Sequence, residues 1–247
     1  MPDFWARDMP VYFPAIPGPN EVHIWHIDLA GADESILADV PADMFTPVEI
    51  RRAERFAFDL HRNRFVRGRC ALRRILGRYL GMDAVAVPIA LGHYGKPYLD
   101  SITTLSFNLA HAEDFALLAV SGGAEIGIDI EKIRLPNDIR VLAQSVFSAA
   151  ENAQFIALAD DALTIPFFTC WTKKEAFLKA LGTGLSLEAK SVHVGLDLSD
   201  VTIALPPGFG EDLMRVSTIA LDERSISSLA VAGGYQVLLN FDYNEMI

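Results

Sequence analysis

Glu125-Ile-Gly-Ile-Asp-Ile-Glu131 alternates with a period of two, the spacing of an extended strand. Ile126, Ile128 and Ile130 then face one way, and Gly127, Asp129 and Glu131 the other. Two carboxylates therefore share one face of a strand, beside a position with no side chain. Like charges held that close are unfavourable unless a cation, a shared proton or water separates them, which makes a hard divalent metal a natural reading. An amphipathic strand with one wet face is the other. Gly127 favours function, because a glycine inside a strand costs stability unless something must approach closely.

Outward from this strand towards the N-terminus, Ser121-Gly-Gly-Ala124 reads as a hairpin turn fed by an apolar strand over Phe115 to Val120. Before it, Leu105-Ser-Phe-Asn-Leu-Ala-His111 ends on a histidine that is either ligand-facing or turn-stabilising. Gly92-His-Tyr-Gly-Lys-Pro97 is turn-like, with a lysine between a flexible glycine and a rigid proline, and follows a strand expected at Val85 to Leu91. Thr46-Pro-Val-Glu49 has the form of a helix start, with Thr46 as cap and Pro47 in the first position. The helical pattern runs from there to Leu80, with one break expected near Asp59 to Asn63, and Gly81 ends it. A short helix is expected over Glu34 to Met44 and a strand over Val22 to Leu29, while residues 1 to 20, with five prolines, read as an irregular lead-in.

Towards the C-terminus, a helical pattern covers Asn137 to Leu158 with Phe147-Ser-Ala-Ala-Glu151 in it or at a break. Pro166 opens a second helix through Leu181, with Trp171, Phe177, Leu178 and Leu181 as its buried stripe. Glu175 and Lys179, four apart, are neighbours on its surface, where they could equally be an ordinary ion pair. Gly182-Thr-Gly184 stops it, and strands are expected at Ser191 to Val194, Val201 to Leu205, Leu213 to Ala220 and Ser228 to Phe241. Helix and hairpin, twice over, predict two similar α+β halves meeting near residue 125.

The chain has 247 residues and is 51% hydrophobic, enough for one large core or two ordinary ones. Neither a signal-peptide pattern nor an apolar run long enough to span a bilayer is evident, so a soluble cytoplasmic protein without membrane contact is expected. Cys70 and Cys170 fall within expected helices and read as buried thiols, although a disulfide between them stays open at this level. The net charge of −11 argues against nucleic acid as a partner. That charge is uneven: ten arginines against Glu54 and Asp59 between positions 51 and 78 give a local balance of +8, which leaves −19 for the remainder. Concentrated arginine on an acidic protein suits a small polyanion such as a phosphate ester, with a solubilising helix surface as the plainer explanation.

Ile126-Gly-Ile-Asp-Ile-Glu131 followed by Trp171-Thr-Lys-Lys-Glu-Ala-Phe-Leu-Lys179 resembles the paired signature of the 4'-phosphopantetheinyl transferase superfamily, in its long, monomeric, surfactin-synthetase-activating type. Gly95-Lys-Pro97 and Phe107-Asn-Leu-Ala-His111 fall where that group has its coenzyme A contacts. The resemblance implies an α+β fold of two subdomains, residues 1–125 with the basic coenzyme A region and 126–247 with the metal carboxylates, related by a pseudo-twofold axis. It implies transfer of the phosphopantetheine arm of coenzyme A to a serine of an apo acyl or peptidyl carrier protein. Magnesium ligands are implied at Asp129, Glu131 and Glu175. Lys179 matches a phosphate-contacting lysine that assists proton transfer, Arg64 the 3'-phosphate grip, and Arg52 a basic position before it. Gly95, Lys96 and Pro97 match the adenine-side turn, His111 a phosphate contact, and Glu151 a glutamate placed with Glu175 and Lys179 among the catalytic residues. Two positions depart from the pattern: Ala110 replaces a common serine, removing one hydrogen bond to the nucleotide, and Glu49 stands where a basic residue is frequent.

Two other readings compete. Another magnesium-dependent phosphoryl-transfer enzyme would use the same carboxylates and arginines, yet the chain has no Gly-rich Lys-Ser/Thr phosphate loop. A catalytically silent carrier-binding scaffold would be expected to have lost a metal carboxylate. For the carrier, an apolar docking patch is expected around Val141, Val146 and Phe147, because that segment leads from Glu131 towards Glu151.

Overall fold

A computed structural model describes residues 13–30, 44–134, 136, 138–183, 187–209, 213–221 and 223–246. The helix expected over Glu34 to Met44 lies outside them except for Met44, which is buried.

The first sheet has the order β10-β1-β5-β4, built from β1 (Glu21–Asp28), β4 (Ser106–Ala112), β5 (Phe115–Ser121) and β10 (Val237–Asp242). Strand β1 is antiparallel to β5 and parallel to β10, with Glu21 opposite Val237 and His26 opposite Asp242. The second sheet has the order β6-β9-β8-β7 and is antiparallel throughout: β6 (Ile126–Lys132), β7 (Val201–Ala204), β8 (Leu213–Leu221) and β9 (Ser225–Ala232). A small hairpin pairs β2 (Ile89–Leu91) with β3 (Pro97–Leu99). Relative to halves expected at 1–125 and 126–247, β10 lies in the second span and pairs into the first sheet.

Each sheet carries a long helix on one face and turns the other face to a shared core. On the first sheet this is α2 (Asp59–Leu80), preceded by the short α1 (Pro47–Glu54). Thr46 and Glu49 form the reciprocal cap of α1, and α2 stops at Gly81, which holds the left-handed backbone (φ 65°) that a side chain disfavours. The break between them falls at residues 55–58, slightly before the expected Asp59–Asn63. Leu72, Ile75, Leu76 and Tyr79 of α2 meet Trp25, Ile27, Leu118 and Val120. On the second sheet lies α5 (Thr164–Leu181), after α3 (Ile139–Val146) and α4 (Ala149–Ile156). There Phe147, Phe155, Phe167 and Phe177 pack with Met214, Val216 and Ile226. Full burial of side chains of this size contributes about 1.5–3 kcal/mol each.

The shared core is made of alternate residues: Val22, Ile24, Leu117 and Ala119 from one sheet, Ile126, Ile128, Ile130, Leu229 and Val231 from the other. The expected period of β6 is thus realised, the three isoleucines inward and Gly127 and Asp129 towards α5. Where β6 meets β4 no ladder joins the sheets. Instead the Asn108 side-chain oxygen accepts the Ile128 N–H at 2.9 Å, satisfying a buried edge donor. A Cβ on Gly127 would lie 2.1 Å from the Ala176 carbonyl oxygen and 2.3 Å from the Ala180 nitrogen, so the glycine is there to admit the backbone of α5.

Three expected strands differ. Residues 84–86 form a 3-10 turn before the short β2. Residues 228–241 divide into β9 and β10 around Gly233 and Gly234, both at positive φ. Ser191 to Val194 is no strand but the end of a 3-10 turn and an irregular stretch. No helix among the described residues is long and apolar enough to cross a membrane. Cys70 and Cys170 are both free and buried.

Candidate active site at the seam of the two sheets

Strand β6 and helix α5 bring Asp129, Glu131, Glu175 and Lys179 together. Glu175 and Lys179 are one turn apart on α5, and the Lys179 ammonium donates to Asp129 Oδ1 at 2.5 Å. Asp129 is only 4% exposed, and its Oδ2 is buried with no hydrogen-bond partner. Burial raises the Asp129 carboxyl to about 7; Lys179 opposes that rise, and Glu131 and Glu175 add to it. Glu131 is raised for the same first reason, against Lys179 and a hydrogen bond from Trp171.

Across the seam, His111 projects from β4. Desolvation, then the charges of Lys179, Arg52 and Arg69, hold its ring below the ordinary histidine range. Three cations from three elements thus converge on one imidazole. Arg52 of α1 and Arg69 of α2 both lie over the Phe65 ring, 5.3 and 5.5 Å from its centre. Glu49 steadies this group: its carboxylate caps α1, sits 3.8 Å from Arg69 Nε and accepts from Arg73 NH2 at 3.1 Å. The acidic residue at an expected basic position therefore organises the arginines around it. Ala110, the other departure, is buried in β4.

The other expected polar side chains, Arg64, Lys96 and Glu151, are each engaged by protein groups. Arg64 donates twice to Asp114 Oδ1, at 2.9 and 2.5 Å, and so holds the β4–β5 turn. Gly95, at φ 87°, and Pro97 flank Lys96 in the β2–β3 turn, and the Lys96 ammonium donates to Glu125 Oε2 and to the Ala180 carbonyl oxygen, each at 2.7 Å. Glu151 is fully buried: one oxygen accepts from the Val194 and Gly195 backbone N–H groups, the other from Ser148 N–H, with the Lys174 ammonium at 2.7 Å. Burial alone would raise its carboxyl, but these partners, Lys174 foremost, bring it below the usual range. Its oxygens are held by Ser148, Lys174, Val194 and Gly195, none of which is among the seam residues. Of the expected docking patch, Val141 is 63% exposed with Leu142 beside it, whereas Phe147 is core.

Four contributors escape a reading by residue type. Arg69 and Phe65 are one turn apart on α2, a spacing visible in the sequence but hidden among ten arginines. Trp171, four residues before Glu175 on α5, reads as core yet touches Glu131. Asn108 gives no signal of its role across the seam.

Among the described residues no group of three His, Cys, Asp or Glu side chains is drawn together closely enough to hold a metal ion. The donor chemistry nevertheless suits a hard cation: carboxylate oxygens only, one of them buried and unpartnered, beside a lysine that already supplies positive charge to the same aspartate.

An α+β pair of sheet-and-helix units with carboxylates and a lysine at the seam defines a class, and comparison with known proteins agrees. The sequence model of the 4'-phosphopantetheinyl transferase superfamily matches residues 125–217. The 4'-phosphopantetheinyl transferase HetI of Nostoc sp. (strain PCC 7120) is 37% identical over 226 residues, 88% of this chain and 90% of that protein. A Bacillus subtilis 4'-phosphopantetheinyl transferase is 32% identical over 180 residues, 72% and 77% of the two chains. AcpT of Escherichia coli O157:H7, also a 4'-phosphopantetheinyl transferase, is 42% identical over 94 residues, 38% of this chain and 48% of its own. The chain belongs to the 4'-phosphopantetheinyl transferase superfamily, and phosphopantetheinyl transfer is the activity that membership carries.

Proposed function

We propose that this protein moves the 4'-phosphopantetheine arm of coenzyme A to a serine of an apo acyl or peptidyl carrier protein, as a monomer of the surfactin-synthetase-activating type, and releases adenosine 3',5'-bisphosphate. The observation that carries the reading is the convergence of Asp129, Glu131, Glu175 and Lys179 with His111, Arg52 and Arg69. That set offers carboxylates for a cation and separate cationic groups for phosphates.

In the reaction, the serine Oγ–P bond forms at the β-phosphorus while the bridging P–O bond to the nucleotide breaks. The leaving oxygen carries away the bond pair, and the serine proton passes to a base. Negative charge grows on the nucleotide side, where Lys179, Arg52 and Arg69 stabilise it. His111, held towards neutrality by desolvation and then by its cationic neighbours, donates a hydrogen bond to a phosphate oxygen. Glu175, half-buried on α5, takes the serine proton in this scheme. Glu151, with its oxygens already occupied, supports the fold behind α5. A magnesium ion would be held by Asp129, Glu131 and Glu175 and would supply Lewis-acid neutralisation of the pyrophosphate.

Incubation with coenzyme A, magnesium and a panel of apo carrier proteins, read as intact mass, tests the reading. A gain equal to the phosphopantetheinyl group on a carrier serine is expected. Carrier binding without mass gain would point to a silent scaffold, and a gain of phosphate alone to a different phosphoryl transferase; either overturns the proposal.

A further inference from the structure

The seam chemistry depends on where the last turn of α5 sits, because Lys179 reaches Asp129 from there. A helix leaves its final carbonyls without helical partners. In α5 the Gly182 N–H takes the Leu178 and Lys179 carbonyls, while the Ala180 carbonyl accepts from the Lys96 ammonium at 2.7 Å. A cation at this end also meets the negative pole of the helix. The Lys96 stem crosses Gly182, where an added Cβ would stand 3.0 Å from Lys96 Cδ, and Gly182 itself is at φ 67°. The same ammonium pairs with Glu125, the residue before β6, so the lysine joins three parts of the chain: the β2–β3 turn, the link into β6 and the end of α5. Its own position is fixed by a tight turn, with Gly92 N–H to the Lys96 carbonyl and Gly95 N–H to the Gly92 carbonyl, each at 2.9 Å. Lys96 is 17% exposed at its side chain, so it is bound into the protein.

We propose that Lys96 is a positioning residue: it pins the C-terminal turn of α5 to the β2–β3 hairpin and so sets Lys179 against Asp129. The proposal rests on the transferase reading for its kinetic consequence, but not for its structural one.

Lys96→Met keeps the stem over Gly182 and removes the ammonium. In the ligand-free protein, amide hydrogen exchange over residues 178–183 should speed up by about tenfold, the equivalent of losing one charge-assisted hydrogen bond. Turnover should fall by a similar factor with the KM for coenzyme A within about twofold of wild type, and Lys96→Arg should recover part of both. Glu125→Gln, which leaves the bond to Ala180 in place, should show a smaller exchange effect in the same segment, and serves if Lys96→Met does not fold. Unchanged exchange at residues 178–183, or a large rise in KM with turnover retained, overturns the proposal. Absence of transfer by the wild type would overturn the transferase reading instead, while the exchange result would still decide the role of Lys96.

Discussion

Asp129 is the residue on which the seam turns. Its Oδ1 is committed to Lys179 and its Oδ2 to nothing in the protein, in a position almost without solvent. Asp129→Ala removes a buried group that is costly to the fold and essential to the charge pattern. Turnover should fall by a hundredfold or more, on the order of losing one electrostatic stabiliser, while circular dichroism and the melting temperature stay at or above wild type. Near-normal transfer at low magnesium would remove Asp129 from the site. The arginines divide in the same way between chemistry and scaffold. Arg69, over the Phe65 ring and among the charges that act on His111, should on replacement by alanine raise the KM for coenzyme A by the equivalent of about 1.5–3 kcal/mol. Coenzyme A lacking its 3'-phosphate should then barely distinguish mutant from wild type; equal discrimination by both would leave the 3'-phosphate to Arg64. Arg64 donates to Asp114 from Nε and one terminal nitrogen, so a phosphate contact there falls to the rest of its guanidinium. The sequence exposes Asp129, Glu131, Glu175 and Lys179 because they sit in two short motifs. It conceals the setting of Glu151, whose partners come from residues 174 and 193–195, far along the chain.

Among the elements, β6 and α5 were legible for different reasons. Strict alternation shows which side of β6 faces the core, and the one glycine on its other face is explained by contact with α5. Gly127→Ala would force a Cβ into the Ala176 carbonyl and the Ala180 nitrogen, both parts of a rigid helix. A loss of about 1–3 kcal/mol is expected, the usual cost of overpacking, together with reduced turnover because α5 moves with Glu175 and Lys179. Urea unfolding and a kinetic assay check this; a wild-type midpoint with wild-type turnover would mean that α5 yields without consequence. The misread strand at Ser191 to Val194 shows the limit of pattern. Val192 and Val194 do alternate inward, at 6% and 2% exposure, but the Val192 carbonyl accepts from Lys174 and the Val194 N–H donates to Glu151. Side chains on other elements take the bonds a neighbouring strand would have made, and no local periodicity reports that. Several adjacent residues could end α1, which is why the break at residues 55–58 precedes the expected Asp59 to Asn63.

Over the molecule as a whole, charge and titration give two further expectations. His23 is buried against Tyr79 and Phe241, with Nδ1 2.6 Å from the Tyr79 hydroxyl and Nε2 3.0 Å from Glu21. Desolvation lowers its pKa despite Glu21, and His26 is lowered likewise. The unfolded chain therefore binds protons near pH 6.5 that these histidines refuse in the folded chain, so their contribution is full above that pH and declines as pH falls towards the depressed folded values, while Asp129, raised to about 7, contributes with the opposite sign. Between pH 7.5 and 5.5 the urea midpoint of wild type should lose ground to that of His23→Gln; parallel curves would remove His23 from the pH dependence. Carrier recognition belongs to this scale too. With −19 outside the arginine region, an acidic carrier gains little from long-range attraction. Exposed Val141 and Leu142 on α3 offer an apolar contact instead, and Val141→Asp should raise the KM for the carrier several-fold with that for coenzyme A unchanged. Equal effects on both substrates would move the docking surface elsewhere.

The parallel pairing of β1 with β10 has a mechanical consequence. Strand β1 enters the sheet at Glu21 and β10 leaves it at Asp242, and the two lie side by side in register from Glu21 with Val237 to His26 with Asp242. Tension applied between the two ends of the chain drags these strands past each other lengthwise, which loads their cross-strand bonds in shear all at once instead of peeling them one by one. The fold is closed by a clasp whose resistance to pulling is borne by the pairing of its first and last strands.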